Sequence, residues 1–283
     1  SKAVDITVPI ESSAGYVAGL VNSNASTLGV EASAITRVKF PPPKRDGTIS
    51  FTLKSKPGVN NSASISASVL TTNLTNLANT INNFSGRTGV TANLSSDKKH
   101  LILENMDGDD IEITSFTGPD SLTKDTTALG GAASDTINYT AHGFNTGDKV
   151  IYTAGGTTLT NLTSGTTYYA IKVDDNNFKL ASSLSNASGG TAITVGGAGG
   201  SSTDKFTNPF TIEVLKNDYL SFSTPVSIDI DGDSYAAARF SGELQIESSS
   251  AISTSNDGGS TTVTGSQNSF KDGFYEISSS STG

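Results

Sequence analysis

Few residues here have the type and spacing for chemistry. Asp229, Asp231 and Asp233 in DIDGDS alternate in the way that presents carboxylate oxygens to a calcium ion. A calcium loop carries Gly at its sixth position and Glu at its twelfth, and here those positions hold Ser234 and Phe240. Asp231-Gly232 is also a strong hairpin signal between the apolar runs around Ile230 and Ala236, and MDGDD at residues 106–110 carries the same turn chemistry. The turn reading therefore stands ahead of calcium at residues 229–233. The two histidines, His100 and His142, lie in different parts of the chain, and neither has a partner at metal-ligand spacing. His142 in AHGFNTGD reads as a turn residue before Gly143 with Phe144 packed beneath, and His100 as exposed turn chemistry at the start of a strand.

Other catalytic signals are absent. No Gly-x-Ser-x-Gly elbow accompanies the serines. VGGAGGSS at 195–202 lacks the Gly-x-Gly-x-x-Gly spacing and the Gly-Lys-Ser/Thr ending of a phosphate loop, so it reads as a linker. Zero Cys removes disulfides, thiolate metal sites and a Cys nucleophile together. The residues thus assign no catalytic, cofactor-binding or metal position, and the expectation is a protein that is not an enzyme and carries no cofactor.

Charge narrows the partners. The formal net charge is −9, and no Lys/Arg patch exists to neutralise phosphates, which argues against nucleic acid. The basic pair Lys44-Arg45 follows Pro41-Pro42-Pro43 and reads as a solvated loop. No run approaches the roughly 18 apolar residues of a membrane span, so membrane insertion is not expected. A sugar site would need exposed aromatics. The chain has no Trp, and one member of the pair Tyr168-Tyr169 should face a core. Eight Asn-x-Ser/Thr sequences, at Asn24, Asn60, Asn73, Asn83, Asn93, Asn138, Asn161 and Asn186, follow from the Ser/Thr/Asn-rich composition.

The elements that must position these residues are short strands joined by turns, as 34% hydrophobic residues and 29 Gly suggest. One frame occurs twice, as VNSNASTLGVEA at residues 21–32 and INNFSGRTGVTA at residues 81–92. Leu74, Leu77, Ala78 and Ile81 fall on one helical stripe, and Ala14, Val17, Ala18 and Val21 repeat it sixty positions earlier. Thr71 or Thr72 could cap the later helix and Gly86 close it, while Ser12 or Ser13 could cap the earlier one. After Gly29 and Gly89 the apolar period switches to two, which opens a strand, and Asp107-Gly108 supplies a hairpin turn.

The predicted fold class is mainly β with two short helices in α+β units, arranged as several small β-rich domains with antiparallel sheets. Residues 1–119 read as two related strand-helix-strand units, 1–45 and 46–119. Residues 120–134 read as a linker, 135–183 as a small all-β module and 184–203 as a flexible Gly/Ser-rich connection. Residues 204–283 read as a β-rich domain with a Ser-rich tail supported by Phe270, Phe274 and Tyr275.

Ile81-Asn82, Thr88-Gly89-Val90-Thr91-Ala92 and LILENMDGDDIEI at 101–113 resemble the recurring motif in the variable outer region of bacterial flagellins. The first copy departs from that motif, with Leu28 in place of Thr and no Asp-Gly hairpin. Residues 135–183 resemble a small β module of marine bacterial surface proteins and phage structural proteins. The resemblance implies an extracellular structural segment of the bacterial flagellum. There it would form the solvent-facing surface of a helical homopolymer whose polymerising regions lie outside this chain. The same motif occurs in phage tail proteins and adhesins, so a virion protein or a surface adhesin module is the alternative.

Overall fold

The computed structural model describes residues 2–9, 11–55, 57–58, 60–129, 134–196, 199–214, 226–228, 237–248, 251–256, 259–261 and 274–280. It is mainly β, with antiparallel sheets and two helices of at least eight residues, Ala14–Ser23 and Thr75–Asn82.

The main core lies between two sheets. In one, the eleven-residue strand Val30–Phe40 is shared along its length. Glu243–Ser248 pairs with its first half and Leu101–Asn105 with its second, while Phe210–Val214 pairs with Val38 and Lys39 from the other side. The facing sheet runs in the order Ala238–Phe240, Ile111–Thr117, Gly47–Lys54, Ser62–Val69. Alternation dictates which side chains meet: Ile49, Phe51 and Leu53 point inward, as do Ala63, Ile65, Ala67 and Val69. Phe40, Phe51, Phe116 and Phe210 form the centre, with Phe40 and Phe210 ring centroids 4.7 Å apart. Helix Thr75–Asn82 closes this core with Leu77, Ala78 and Ile81.

Both frames take the same local form. Each helix runs into a one-turn helix, Ala25–Leu28 or Ser85–Thr88, that stops at a left-handed glycine, Gly29 at φ 67° or Gly89 at φ 77°. In the first frame Asn22 Nδ2 donates to Ala32 O at 2.7 Å, and Asn22 Oδ1 accepts from Ala32 N at 2.8 Å. In the second, Asn82 Nδ2 donates to Ala92 O at 3.0 Å, and Asn82 Oδ1 accepts from Ala92 N at 2.8 Å. Each Asn therefore extends the backbone ladder by a side chain that mimics a strand residue. Val17, Val21, Val30 and Ala32 fill a second core with Leu28, Ile6, Leu244 and Ile246.

Along the chain, strand Ile111–Thr117 precedes the next unit and strand Phe210–Val214 follows it. Between them a six-stranded antiparallel sheet is built from Ser121–Lys124, Asp204–Thr207, Lys149–Thr153, Thr166–Lys172, Asn177–Ala181 and Ile137–Asn138 in that order. A further sheet pairs Lys2–Thr7 with Phe274–Ser280, which pairs with Ala251–Asn256.

Several expectations need correction. Residues 120–134 are not only a linker, because Ser121–Lys124 is a ladder strand of the six-stranded sheet. Residues 184–203 are not a free connection: Val195 is fully buried, and Val195 N and Gly196 N both donate to Ser134 O at 2.8 Å. Gly199 and Gly200 sit where an added Cβ would fall 2.2 Å from Thr158 O and 2.7 Å from Thr126 O. Glycine there permits close backbone approach, and composition alone reads it as flexibility. The all-β unit thus extends past 135–183 at both ends. Residues 204–283 are no separate domain either, since strands within 210–248 complete the two sheets of the main core. The boundary between the two units does not fall at residues 45 and 46 but within strand Val30–Phe40, because Val30 and Ala32 lie in one core and Val38 and Phe40 in the other.

Asp107-Gly108 makes no hairpin. Leu101–Asn105 and Ile111–Thr117 belong to opposite sheets, so the turn carries the chain across the sandwich. Asn105 holds it, its Oδ1 accepting from Asp107 N and Asp109 N. The later helix is not capped by Thr71 or Thr72 or closed by Gly86: Asn73 Oδ1 accepts from Thr75 N at its start, and Asn83 follows its end. Ser13 caps the earlier one, accepting from Tyr16 N at 3.2 Å.

Candidate functional site

Two clusters of charged side chains sit at joints. At the first, the crossing loop meets the N-terminal segment and strand Ala238–Phe240 around a cleft of about 440 Å³. Arg239 Nε donates to Asp110 Oδ2 at 2.5 Å, and Arg239 Nη2 donates to the Glu11 carbonyl at 2.8 Å. Glu11 and Glu112 carboxylates approach the guanidinium at 3.7 and 3.9 Å, and Lys54 approaches Glu112 at 3.6 Å. Burial pushes the Asp110 carboxyl upward, and the Arg239 guanidinium beside it only partly reverses that shift. Its Oδ1 is buried with no hydrogen-bond partner among the described residues. Three glycines make the joint possible. An added Cβ at Gly15 would fall 2.0 Å from Asp107 O, at Gly108 2.4 Å from Ala34 Cβ, and at Gly242 2.3 Å from Thr36 Oγ1.

The second joint holds the six-stranded sheet to the sandwich. Asp120, which is buried, accepts backbone hydrogen bonds from Lys44 N at 2.9 Å and Arg45 N at 3.1 Å. Lys44 Nζ reaches Asp148 at 3.1 Å, Arg45 Nε donates to Ala141 O at 3.0 Å, and the Arg45 guanidinium lies over the Tyr139 ring. Burial pushes the Asp120 carboxyl up to about 6, against the pull of those two backbone donors and of the Lys44 and Arg45 charges. The pair Lys44-Arg45 is therefore spent on docking rather than on a solvated loop. A cleft of about 470 Å³ beside it is lined by Pro41, Pro43, Lys44, Asp148, Lys149 and Phe210, among others.

Within the six-stranded unit Asp204 is fully buried and fully partnered. Thr126 Oγ1 donates to it at 2.5 Å, Tyr152 OH at 3.2 Å, Gly155 N at 2.9 Å and Ser201 N at 3.3 Å. Burial pushes the Tyr152 hydroxyl up to about 12, and the neighbouring Asp204 charge adds to it. These bonds pin residues 126, 155 and 201 to one carboxylate.

His142 is buried between Phe144 and Phe178. Its Nδ1 accepts from Phe144 N at 3.0 Å, which leaves Nε2 to carry the proton toward Asp174 O at 2.8 Å and Asn177 O at 3.2 Å. Both ring nitrogens are thus committed to holding a turn. His100 is partly exposed, with Nδ1 3.9 Å from Asp97. Tyr168 is buried and its hydroxyl accepts from Thr163 N, while Tyr169 is half-buried. Asp229, Asp231, Asp233 and Ser234 lie outside the described residues, as does Phe270; Phe240 is a buried core residue. Among the described residues no three His, Asp or Glu side chains converge as a metal site would need.

The carboxylates that matter at the joints, Asp110, Asp120 and Asp204, carry no local motif. Only Asp110 lies in a stretch that sequence marks out, and there the Asp-Gly turn signal hides it. No protein-family model and no curated protein sequence matches the chain.

Proposed function

We propose that the chain is a non-enzymatic structural segment of an extracellular filament, most like the outer, solvent-facing region of a bacterial flagellin. The observation that carries this reading is the pair of corners at residues 21–32 and 81–92. The matching Asn22–Ala32 and Asn82–Ala92 bonds support reading the two corners as copies of one folding unit, in the sequence frame that resembles the flagellin outer region. The charge distribution agrees. Asp110, Asp120 and Asp204 serve joints between segments, which suits a part whose task is to hold shape. Strands Lys2–Thr7 and Phe274–Ser280 run antiparallel side by side, an arrangement that lets a domain leave and rejoin a filament on one stalk. A net charge of −9 keeps crowded copies apart and hydrated.

The test is immunogold electron microscopy of the source cells and of the particles they shed, with antibodies raised against the purified chain. Continuous labelling along a helical cell-surface filament is the expected result. Labelling of virions would replace the reading with the phage structural protein, and labelling of the cell body alone would favour the adhesin.

A further inference from the structure

Among the described residues no strand pairs with the outer edge of Ser62–Val69. The strand ends its sheet, and its eight residues pair with Gly47–Lys54 in one unbroken register with no bulge. Folded proteins protect such edges with charge, proline, a bulge, brevity or a covering helix or loop. Among the described residues, the other outermost strands of the two core sheets and of the six-stranded sheet are either two to four residues long, two of them with a charge (Arg239 and Lys124), or, as Glu243–Ser248, six residues long with two carboxylates. Ser62–Val69 is eight residues long with no charge, proline or bulge, and helix Thr75–Asn82 packs beside it with Leu77, Ala78 and Ile81 turned into the core. Residues 57–86 include this strand and helix Thr75–Asn82 and hold no Asp, Glu, Lys or Arg, the longest uncharged run in a chain that is 16% charged.

The sequence of the edge names its partner. Residues 62–68 read Ser-Ala-Ser-Ile-Ser-Ala-Ser, the same in both directions. Laid antiparallel on a second copy with Ile65 opposite Ile65, Ser64 meets Ser66, Ala63 meets Ala67 and Ser62 meets Ser68. Every pair then matches in size and face, because Ala63, Ile65 and Ala67 point into the core while Ser64, Ser66 and Ser68 point to solvent. The exposed residues of the adjoining helix, Asn76, Asn79, Asn82 and Asn83, are uncharged as well. Two copies of a chain at −9 repel each other, so a contact between them falls most easily where charge is missing.

We propose that two copies of this chain pair through Ser62–Val69, antiparallel about a two-fold axis at Ile65, and so join the two four-stranded sheets into one. The contact stands independently of the filament reading. In a polymer, tethering would hold neighbours near millimolar effective concentration, where even a weak edge pairing forms.

Sedimentation equilibrium of the intact chain, from micromolar to about 1 mM, tests it. The expected result is a reversible dimer. Ser64→Lys/Ser66→Lys places like charges opposite each other twice and should weaken the dimer roughly tenfold, although it lowers the net negative charge. Ser64→Lys/Ser66→Glu places Lys opposite Glu twice and should restore or tighten it. Ser64 and Ser66 are exposed, and circular dichroism checks that each variant keeps its fold. A measurement without variants is amide exchange of residues 62–69, which should slow as concentration rises. A monomer throughout, a dimer indifferent to the Lys/Lys change, or pairing only with another protein's strand would overturn the proposal.

Discussion

Replacing Asn82 by alanine removes an exposed side chain that no burial argument would protect. The structure nonetheless gives it two bonds to Ala92, at 3.0 and 2.8 Å. Each such bond contributes about 1 kcal/mol net, and alanine recovers roughly 0.5 kcal/mol through helix propensity, so the loss should be about 1.5 kcal/mol. The loss should appear in the core closed by Leu77, Ile81 and Val90, while the six-stranded unit keeps its own stability. Hydrogen exchange with peptide-level mass spectrometry separates the two. Peptides covering residues 75–94 should exchange roughly tenfold faster, and peptides covering residues 149–181 should be unchanged. Asn79→Ala is the control, an exposed Asn on the same helix with an expected change within about 0.5 kcal/mol. Asn22→Ala should reproduce the Asn82 effect in the other corner, at peptides covering residues 14–34. If Asn82→Ala behaves like Asn79→Ala, the corners are not held by these bonds and the main support for the duplicated unit is lost.

Other outcomes follow from the joints. Asp120 has its carboxyl raised to about 6, above the unfolded value of 3.8, so the folded state holds its proton more tightly. Its contribution is therefore complete below pH 3.8 and lost as pH rises through about 6, on the order of 3 kcal/mol. Thermal melts of wild type and Asp120→Asn from pH 4 to 7 should differ in slope over that window, and parallel curves would refute the assignment. Arg239→Met leaves Asp110 buried without its cation and should cost about 2 kcal/mol, discounted for the partial exposure of Arg239, whereas Asp110→Asn/Arg239→Met should recover most of it. A double-mutant cycle by urea denaturation measures that coupling. Gly29→Ala meets open space and should cost only its left-handed strain, about 1 kcal/mol. Gly199→Ala would press a Cβ onto Thr158 O and should cost at least roughly 3 kcal/mol, read as the difference between the two melting shifts.

What sequence alone determined is local. Period-two alternation at residues 47–54 and 62–69, the helical stripe of Leu77, Ala78 and Ile81, and the Gly-Val-x-Ala corners are each set by a few neighbouring residues, so they are legible without a fold. The His142 turn with Phe144 packed against it is legible for the same reason. What tertiary structure decided is where polar groups went to be satisfied. Asn22 and Asn82 look like surface Asn until Ala32 and Ala92 arrive ten residues later as partners. Gly199 and Gly200 look like a linker until the backbones of Thr158 and Thr126 press against them. Asp107-Gly108 looks like a hairpin until its flanking strands join opposite sheets. Asp110, Asp120 and Asp204 lie 129, 76 and 78 residues from Arg239, Lys44 and Thr126. Burial turns those distant charges into joints, and burial belongs to the assembled fold rather than to any stretch of sequence.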